Sequence, residues 1–217
     1  QLLRFLDQEI AQALDSQMLQ NGVAIRLGQE HLGIVVNEAG RPAIQLHDGE
    51  TMTAEMLLYT MGRIGNTDAL NLPAIGLSTD QQGQLSVNSQ YQTVIPHIYA
   101  TGDVIGFPAL AATAMEQGRL AACHAFQVSE SHDIKVIPYG IYSIPEVSMV
   151  GKTEEELAAA GVPHVTGRAF FREMARGHIS GELHGLLKVA FHRDTHTLLG
   201  VHIIGQGATE LIHIGQS

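Results

Sequence analysis

The sequence predicts an α/β first half followed by an α+β second half, and three observations carry that reading. An amphipathic helical run at residues 2–19 leads into short strand candidates. A strand, a tight glycine turn with an acid and a helix follow one another across residues 97–112. Beyond residue 135, five strand candidates alternate with short helical stretches and include a hairpin. With 217 residues, 45% of them hydrophobic, the chain can bury one large core or two modest ones.

Leu3, Leu6, Ile10, Leu14 and Met18 mark one face of the first helix, which Asn21-Gly22 is expected to end, because glycine accepts the left-handed conformation past a helix C-terminus. Residues 23–27 read as a strand, and residues 32–36 and 43–47 as strands of a β-meander with turns at Glu38-Ala39-Gly40 and Asp48-Gly49. Residues 55–60 form an apolar strand candidate that runs into Met61-Gly62-Arg63-Ile64-Gly65-Asn66-Thr67. Glycines on both sides of an arginine at a strand end suit close backbone approach to a ligand; an ordinary surface turn is the competing reading. Residues 84–87 are a further short strand candidate.

His97-Ile98-Tyr99-Ala100-Thr101-Gly102-Asp103-Val104 is the stretch that organises the chain. Gly102 permits a close turn, and Asp103 sets a carboxylate just past the strand. The helix expected from Pro108 to Val128, with proline at its first position, turns a positive dipole end toward the same place. Such a site can hold hydroxyl groups and stabilise negative charge. Alternatively, Asp103 merely caps the helix at residue 109. Ala111, Ala114, Gly118, Ala121, Ala122 and Ala125 allow that helix close packing, and Cys123 among them reads as a buried small side chain.

The polar stretch at 129–133 is the expected domain boundary. After it come strands at 139–143, 146–150, 164–171, 186–191 and 198–204, with a helix opened by the capping box Thr153-Glu154-Glu155-Glu156 and closed by Gly161. Ile141, Ile144, Phe170, Phe171, Ile203 and Ile204 exceed what one small sheet face needs and predict self-association. His192 and His196 sit in a hairpin with no third ligand placed by the sequence, so no metal site is expected. Gly205-Gln206-Gly207-Ala208-Thr209-Glu210 starts like a dinucleotide fingerprint but has glutamate where the last glycine belongs, and reads as the start of a helix.

Twelve Lys and Arg against 22 Asp and Glu give a net charge of −10, which argues against nucleic acid and anionic membranes as partners. No apolar run is long enough to span a bilayer, the N-terminus lacks signal-peptide form, and the single cysteine excludes an internal disulfide. The expected setting is the cytoplasm. A start at Gln1 and an end inside a helical pattern at Ser217 lead us to expect a fragment.

The order of these pieces resembles the C-terminal part of the flavoprotein disulfide reductases, the pyridine nucleotide-disulfide oxidoreductases. The match covers essentially the whole chain. It rests on the Gly62-Arg63…Asn66-Thr67 turn, Ile98-Tyr99-Ala100-Thr101-Gly102-Asp103, Ile144-Pro145-Glu146-Val147 with Val150-Gly151, and Leu199-Gly200-Val201-His202. The second of these is the most specific. The resemblance implies the later part of an NAD(P)-binding Rossmann-like domain at 1–90, a return segment of an FAD domain at 91–129, and an antiparallel dimerisation domain, cut short at its C-terminus, at 130–217. It implies FAD as cofactor, NAD(H) and NADP(H) as substrates, and a homodimer or higher homo-oligomer.

The resemblance further implies that Asp103, on the Gly102 turn, accepts a hydrogen bond from a ribityl hydroxyl of FAD. The backbone N–H groups near Leu110 and Ala111 would face the flavin pyrimidine oxygen. Gly62 would approach the nicotinamide nucleotide by its backbone, with Arg63 orienting that turn. The disulfide-reducing members usually carry proline where Gly65 stands and histidine where Ile144 stands. Those two departures, with the segments 170–176 and 210–216, point toward a member that passes hydride between NADPH and NAD⁺. A dihydrolipoyl dehydrogenase- or mercuric reductase-like enzyme is the alternative within the family. For this stretch alone, a non-catalytic folding and dimerisation module is the alternative outside it. The glycine fingerprints and any redox-active cysteine pair would precede Gln1.

Overall fold

The computed structural model describes residues 1–128 and 136–217, so the boundary expected at 129–133 lies outside the described residues. The chain forms two compact units, one of Gln1–Met56 with Lys135–Ser217 and the other of Leu57–Ile134.

In the first unit, helix α1 (Gln8–Gln20) starts later than the hydrophobic pattern, because Asp7 caps it by accepting from the Glu9 N–H at 3.0 Å. Asn21 and Gly22 end it, Gly22 with φ +84°. Strands β1 (His31–Val36) and β2 (Pro42–Leu46) form where the meander was expected, and β3 (Thr51–Thr53), not anticipated from the sequence, completes it in the antiparallel order β1-β2-β3. The other sheet holds β4 (Tyr139–Ile141), β5 (Val147–Gly151), β6 (His164–Phe170), β7 (Leu186–His192) and β8 (Leu198–Ile204), in the antiparallel order β4-β5-β8-β7-β6. Helices α3 (Glu154–Ala159), α4 (Ala175–Ser180) and α5 (Ala208–Gln216) connect or follow these strands.

The sheet has two packed faces. On one, Val147, Met149, Leu186 and Ile204 meet Leu6, Ile10, Ala11 and Leu14 of the α1 segment. On the other, Val150, Val201 and Ile203 meet Ala208 and Ile212 of α5. Burying Ile10 and Leu14, at 1% and 2% exposure, stabilises the α1 seat by about 1.5–3 kcal/mol per side chain. Thr153 forms the predicted capping box at α3: its hydroxyl accepts from the Glu156 N–H at 3.2 Å, and the Glu156 carboxylate accepts from the Thr153 N–H at 3.1 Å. Replacing Thr153 by Ala is expected to lower urea-unfolding stability by about 1 kcal/mol, as loss of an N-cap does. An unchanged midpoint would show that this cap contributes nothing.

The sheet core absorbs residues expected at an interface between copies. Ile203 and Ile204 are 4% and 1% exposed, and Ile141, Phe170 and Phe171 pack against the same cores; only Ile144 is outward, at 84%. Outward apolar side chains of this unit include Ile179 on α4 and Leu211 and Ile214 on α5.

Three predicted strands do not form. Residues 23–27 and 84–87 are irregular, and so are 55–60, where Met56, Leu58 and Tyr59 stand in solvent. A strand exists only when a neighbour satisfies its N–H and C=O groups, and no described strand lies beside these segments. The strand at 97–100 contracts to a single bridge between Gln92 and Tyr99, flanked by Thr93 N–H to Ile98 O at 2.9 Å and Ala100 N–H to Tyr91 O at 3.0 Å.

The second unit is built on Leu72, Leu77, Leu85 and Ala100, with Val87, Ile95, Ile98, Val104 and Ile105 packed around them. Its one long described element is α2 (Ala111–Ala125). The helix does not begin at Pro108: Leu110 is its N-cap, in an extended conformation, and Ala111 is the first helical residue.

Candidate functional site

Gly102 opens a 3₁₀ turn, Gly102–Ile105, in which Asp103 is the second residue. Gly102 is buried with φ +77°, and a Cβ there would come within 3.1 Å of the Ala114 Cβ on α2. Only glycine accepts both the conformation and the approach. The Gly102 N–H donates to the side-chain oxygen of Gln117 at 2.7 Å, and the Gly106 N–H closes the turn on the Asp103 carbonyl at 3.1 Å. The Asp103 carboxylate is left half-exposed. Since Leu110 occupies the N-cap of α2, Asp103 is not that helix's cap.

The carboxylate faces a cleft of about 610 Å³ lined by Arg63, Gly65, Asn66, Gln82, Gln84 and the turn around Gly106 and Phe107. Arg63 lies with Nη1 3.9 Å from the Asp103 carboxylate, and its side chain is 88% exposed. A pair this open is worth at most about 1 kcal/mol and leaves both groups free to turn to a ligand.

The wall carrying Arg63 is fixed by backbone. Asp80 accepts from the N–H groups of Gln82 and Gln84, both at 2.8 Å, which shapes the loop 80–84. Gly65 N–H donates to Gln82 O at 2.7 Å, and the Thr67 hydroxyl donates to Gly83 O at 3.1 Å. A Cβ at residue 65 would land on the Gly83 carbonyl oxygen. This gives the departure at Gly65 a physical reason. Proline there would lack the donor and fill the space where the two backbones meet.

The structure brings Asp103 and Arg63 to one cleft. Gly102 is beneath the turn rather than on the wall, and Leu110 and Ala111 begin α2 without lining the cleft. Gly62 precedes the wall with φ +108° and open space where a Cβ would point, so its backbone is approachable. Cys123 is half-buried beside Arg119, at 3.9 Å from Nη1. His192 accepts from the Asp194 and Thr195 N–H groups at 3.2 and 3.3 Å, a turn-closing role in the β7–β8 hairpin.

Gln117 and Thr113 escaped the sequence reading. Both lie on the buried face of α2, at 6% and 2% exposure, with Ala121 continuing the stripe. Two polar residues four apart on the inner face of an alanine-rich helix were the available signal. The Thr113 hydroxyl has no hydrogen-bond partner among the described residues. At the far end of the helix the Tyr99 hydroxyl and His124 Nδ1 lie 2.8 Å apart, tying the approach to the turn onto α2.

The family model described as pyridine nucleotide-disulphide oxidoreductase matches residues 1–118, and that of its dimerisation domain matches residues 137–216. The soluble pyridine nucleotide transhydrogenases of Pectobacterium atrosepticum and Vibrio atlanticus are 52% and 50% identical over 217 residues, which is all of this chain and 46% of each of theirs. The chain thus spans about half the length of the curated relatives it matches. In the crystal structure of LpdA from Mycobacterium tuberculosis, 27% identical, the fold superimposes with a TM-score of 0.88 over 97% of this chain and 46% of that one. The HOCl-induced flavoprotein disulfide reductase RclA of Escherichia coli shares the fold at a TM-score of 0.89 and 23% identity, over 100% of this chain and 50% of its own. By sequence and by fold, this chain belongs to the pyridine nucleotide-disulphide oxidoreductase family.

Proposed function

We propose that the protein to which these residues belong is an FAD-dependent enzyme that transfers hydride between NADPH and NAD⁺. The likeness to transhydrogenases along every part of the chain is the observation that carries this reading. The residues present fit FAD. Asp103 offers a half-exposed acceptor for ribityl hydroxyls, and Ala111 and Ala112, in the exposed first turn of α2, carry N–H groups without intrahelical partners. When bound, FAD supplies the ring that takes up and gives back hydride.

The chain's own part is to bind and orient. Asp103 holds the ribityl chain, and the α2 N-terminus near Leu110 and Ala111 favours negative charge at the flavin's pyrimidine end by about 0.3–1 kcal/mol. That magnitude tunes redox balance and does not drive the reaction. Gly62 admits a nicotinamide nucleotide to its backbone, and Arg63 steers the same turn. No cysteine of this stretch takes part. Cys123→Ser in the intact enzyme is therefore expected to leave turnover between nicotinamide nucleotides within about twofold. A loss beyond about tenfold, roughly 1.4 kcal/mol, in protein that retains FAD would contradict the reading.

The division into 1–90, 91–129 and 130–217 belongs to the same proposal, and the gap between the two family matches supports its second boundary. The acid balance and single cysteine support a cytoplasmic setting. Self-association through 130–217 is supported by outward Ile179 and Ile214, at 81% and 77% exposure. Light scattering at micromolar concentration should report a dimer or larger, and a folded monomer would contradict it.

A further inference from the structure

Gly102 N–H is a buried donor in a turn too short to satisfy itself, and one side chain answers it. Gln117 reaches from the inner face of α2, 6% exposed, and its Oε1 accepts that N–H at 2.7 Å. The contact sits one residue before Asp103. Below the turn, Ala114 fits against the missing Cβ of Gly102; above it, Gly106 N–H bonds the Asp103 carbonyl. The peptide leading into Gly102 and the peptide leaving Asp103 are therefore held, and Gln117 is the side chain that holds the first of them from α2.

A buried amide donor needs an acceptor, and an aliphatic side chain at 117 would leave Gly102 N–H unpaired and free the turn to rotate. Rotation of the 101–102 peptide would redirect the chain into Asp103 and swing the carboxylate, which Arg63 restrains only loosely from 3.9 Å. Glutamate has the same reach and a stronger acceptor; asparagine is one methylene too short.

We propose that Gln117 is a positioning residue that fixes the Asp103 carboxylate for the ribityl chain of FAD, an inference that rests on the assignment of Asp103 to that cofactor. Gln117 touches no ligand in this account and acts through Asp103.

The test is a double-mutant cycle in the intact enzyme, read as the FAD dissociation constant from flavin fluorescence, with melting of the apoprotein followed in parallel. Gln117→Met and Gln117→Asn should each weaken FAD binding by about tenfold. Gln117→Glu should restore it to within about threefold of the wild type. In an Asp103→Ala background, Gln117→Met should change FAD affinity by less than about threefold, because its target is gone. Should Gln117→Met not fold, the Asn and Glu variants carry the same comparison. Wild-type affinity in Gln117→Asn, or an undiminished effect of Gln117→Met on Asp103→Ala, overturns the positioning role and leaves the Asp103 assignment standing. Wild-type affinity in Asp103→Ala alone overturns both.

Discussion

Lys188→Met is expected to destabilise the fold by about 3–5 kcal/mol, the largest effect of any single change considered for this chain. Lys188 is a middle residue of β7, 3% exposed, pointing to the face that receives α1. Its ammonium contacts the Asp7 carboxylate at 2.8 Å, Glu154 at 2.6 Å and Glu9 at 3.3 Å, while Arg168 bonds Glu9 at 2.7 Å. Asp7 is fully buried, so removing the cation leaves a carboxylate with neither water nor counter-charge. Asp7→Asn should cost less, about 1.5–3 kcal/mol, since asparagine still caps α1 and Lys188 keeps Glu154. A Lys188→Met loss under 1 kcal/mol in urea unfolding would show that the cluster is energetically idle.

The same cluster fixes the pH window of stability. Burial pushes the Asp7 carboxyl up, but the Lys188 hydrogen bond and charge outweigh it and hold the group below its ordinary 3.8. Burial pushes Lys188 down, and its bonds to Asp7 and Glu154 return it above its ordinary 10.5. Burial depresses His202, which pairs with Lys188 between β8 and β7 and keeps Nε2 3.0 Å from the Lys152 carbonyl oxygen, below its ordinary 6.5. A depressed histidine contributes stability above the unfolded pKa that is lost as pH falls, because the unfolded chain binds the proton first. A depressed aspartate behaves alike lower down, and a raised lysine loses its contribution as pH climbs through its folded value. Stability should therefore be flat from about 6.5 to 10, where burial of the Tyr139 hydroxyl begins to disfavour its ionisation in the fold, and fall first on the acid side, through His202. Unfolding midpoints at pH 5 and 7.5 check this; equal midpoints would contradict it.

Asp103→Ala should weaken FAD binding in the intact enzyme by roughly ten- to a hundredfold, because a hydrogen bond to a charged group is worth about 1.5–3 kcal/mol. The apoprotein should melt nearly as the wild type does. The carboxylate is half-exposed, and Leu110 rather than Asp103 caps α2. Asp103→Asn keeps an acceptor and loses the charge, so its affinity should fall between the two. Unchanged flavin affinity with a destabilised apoprotein would reduce Asp103 to a local support of its turn.

How much of this was legible differs from element to element. The five-stranded sheet, the meander, the Thr153 capping box and the 192–197 hairpin are written in local patterns, and each sits within a residue or two of its expected place. The strand candidates at 55–60 and 84–87 had the right composition but no neighbour, and pairing is not a local property. The apolar character of Ile203, Ile204 and Phe170 was correctly seen and wrongly assigned, because alternation cannot say whether the covering surface is α1, α5 or a second copy. Lys188 among Leu186, Leu187, Val189 and Ala190 gave no sign that Asp7, far away in sequence, would neutralise it. At the cleft, Gly102 and Asp103 were readable from turn chemistry. Gln117 and the Gly65–Gly83 contact depend on backbones brought together by the fold.

The most direct measurement offers the purified intact enzyme NADPH with an NAD⁺ analogue whose reduced form absorbs apart from NADPH, and in parallel NADPH with a small disulfide. Rapid reduction of the analogue, dependent on bound FAD, is expected, with little reduction of the disulfide. Rapid reduction of the disulfide with slow transfer between nucleotides would contradict it and assign the protein to the disulfide-reducing branch.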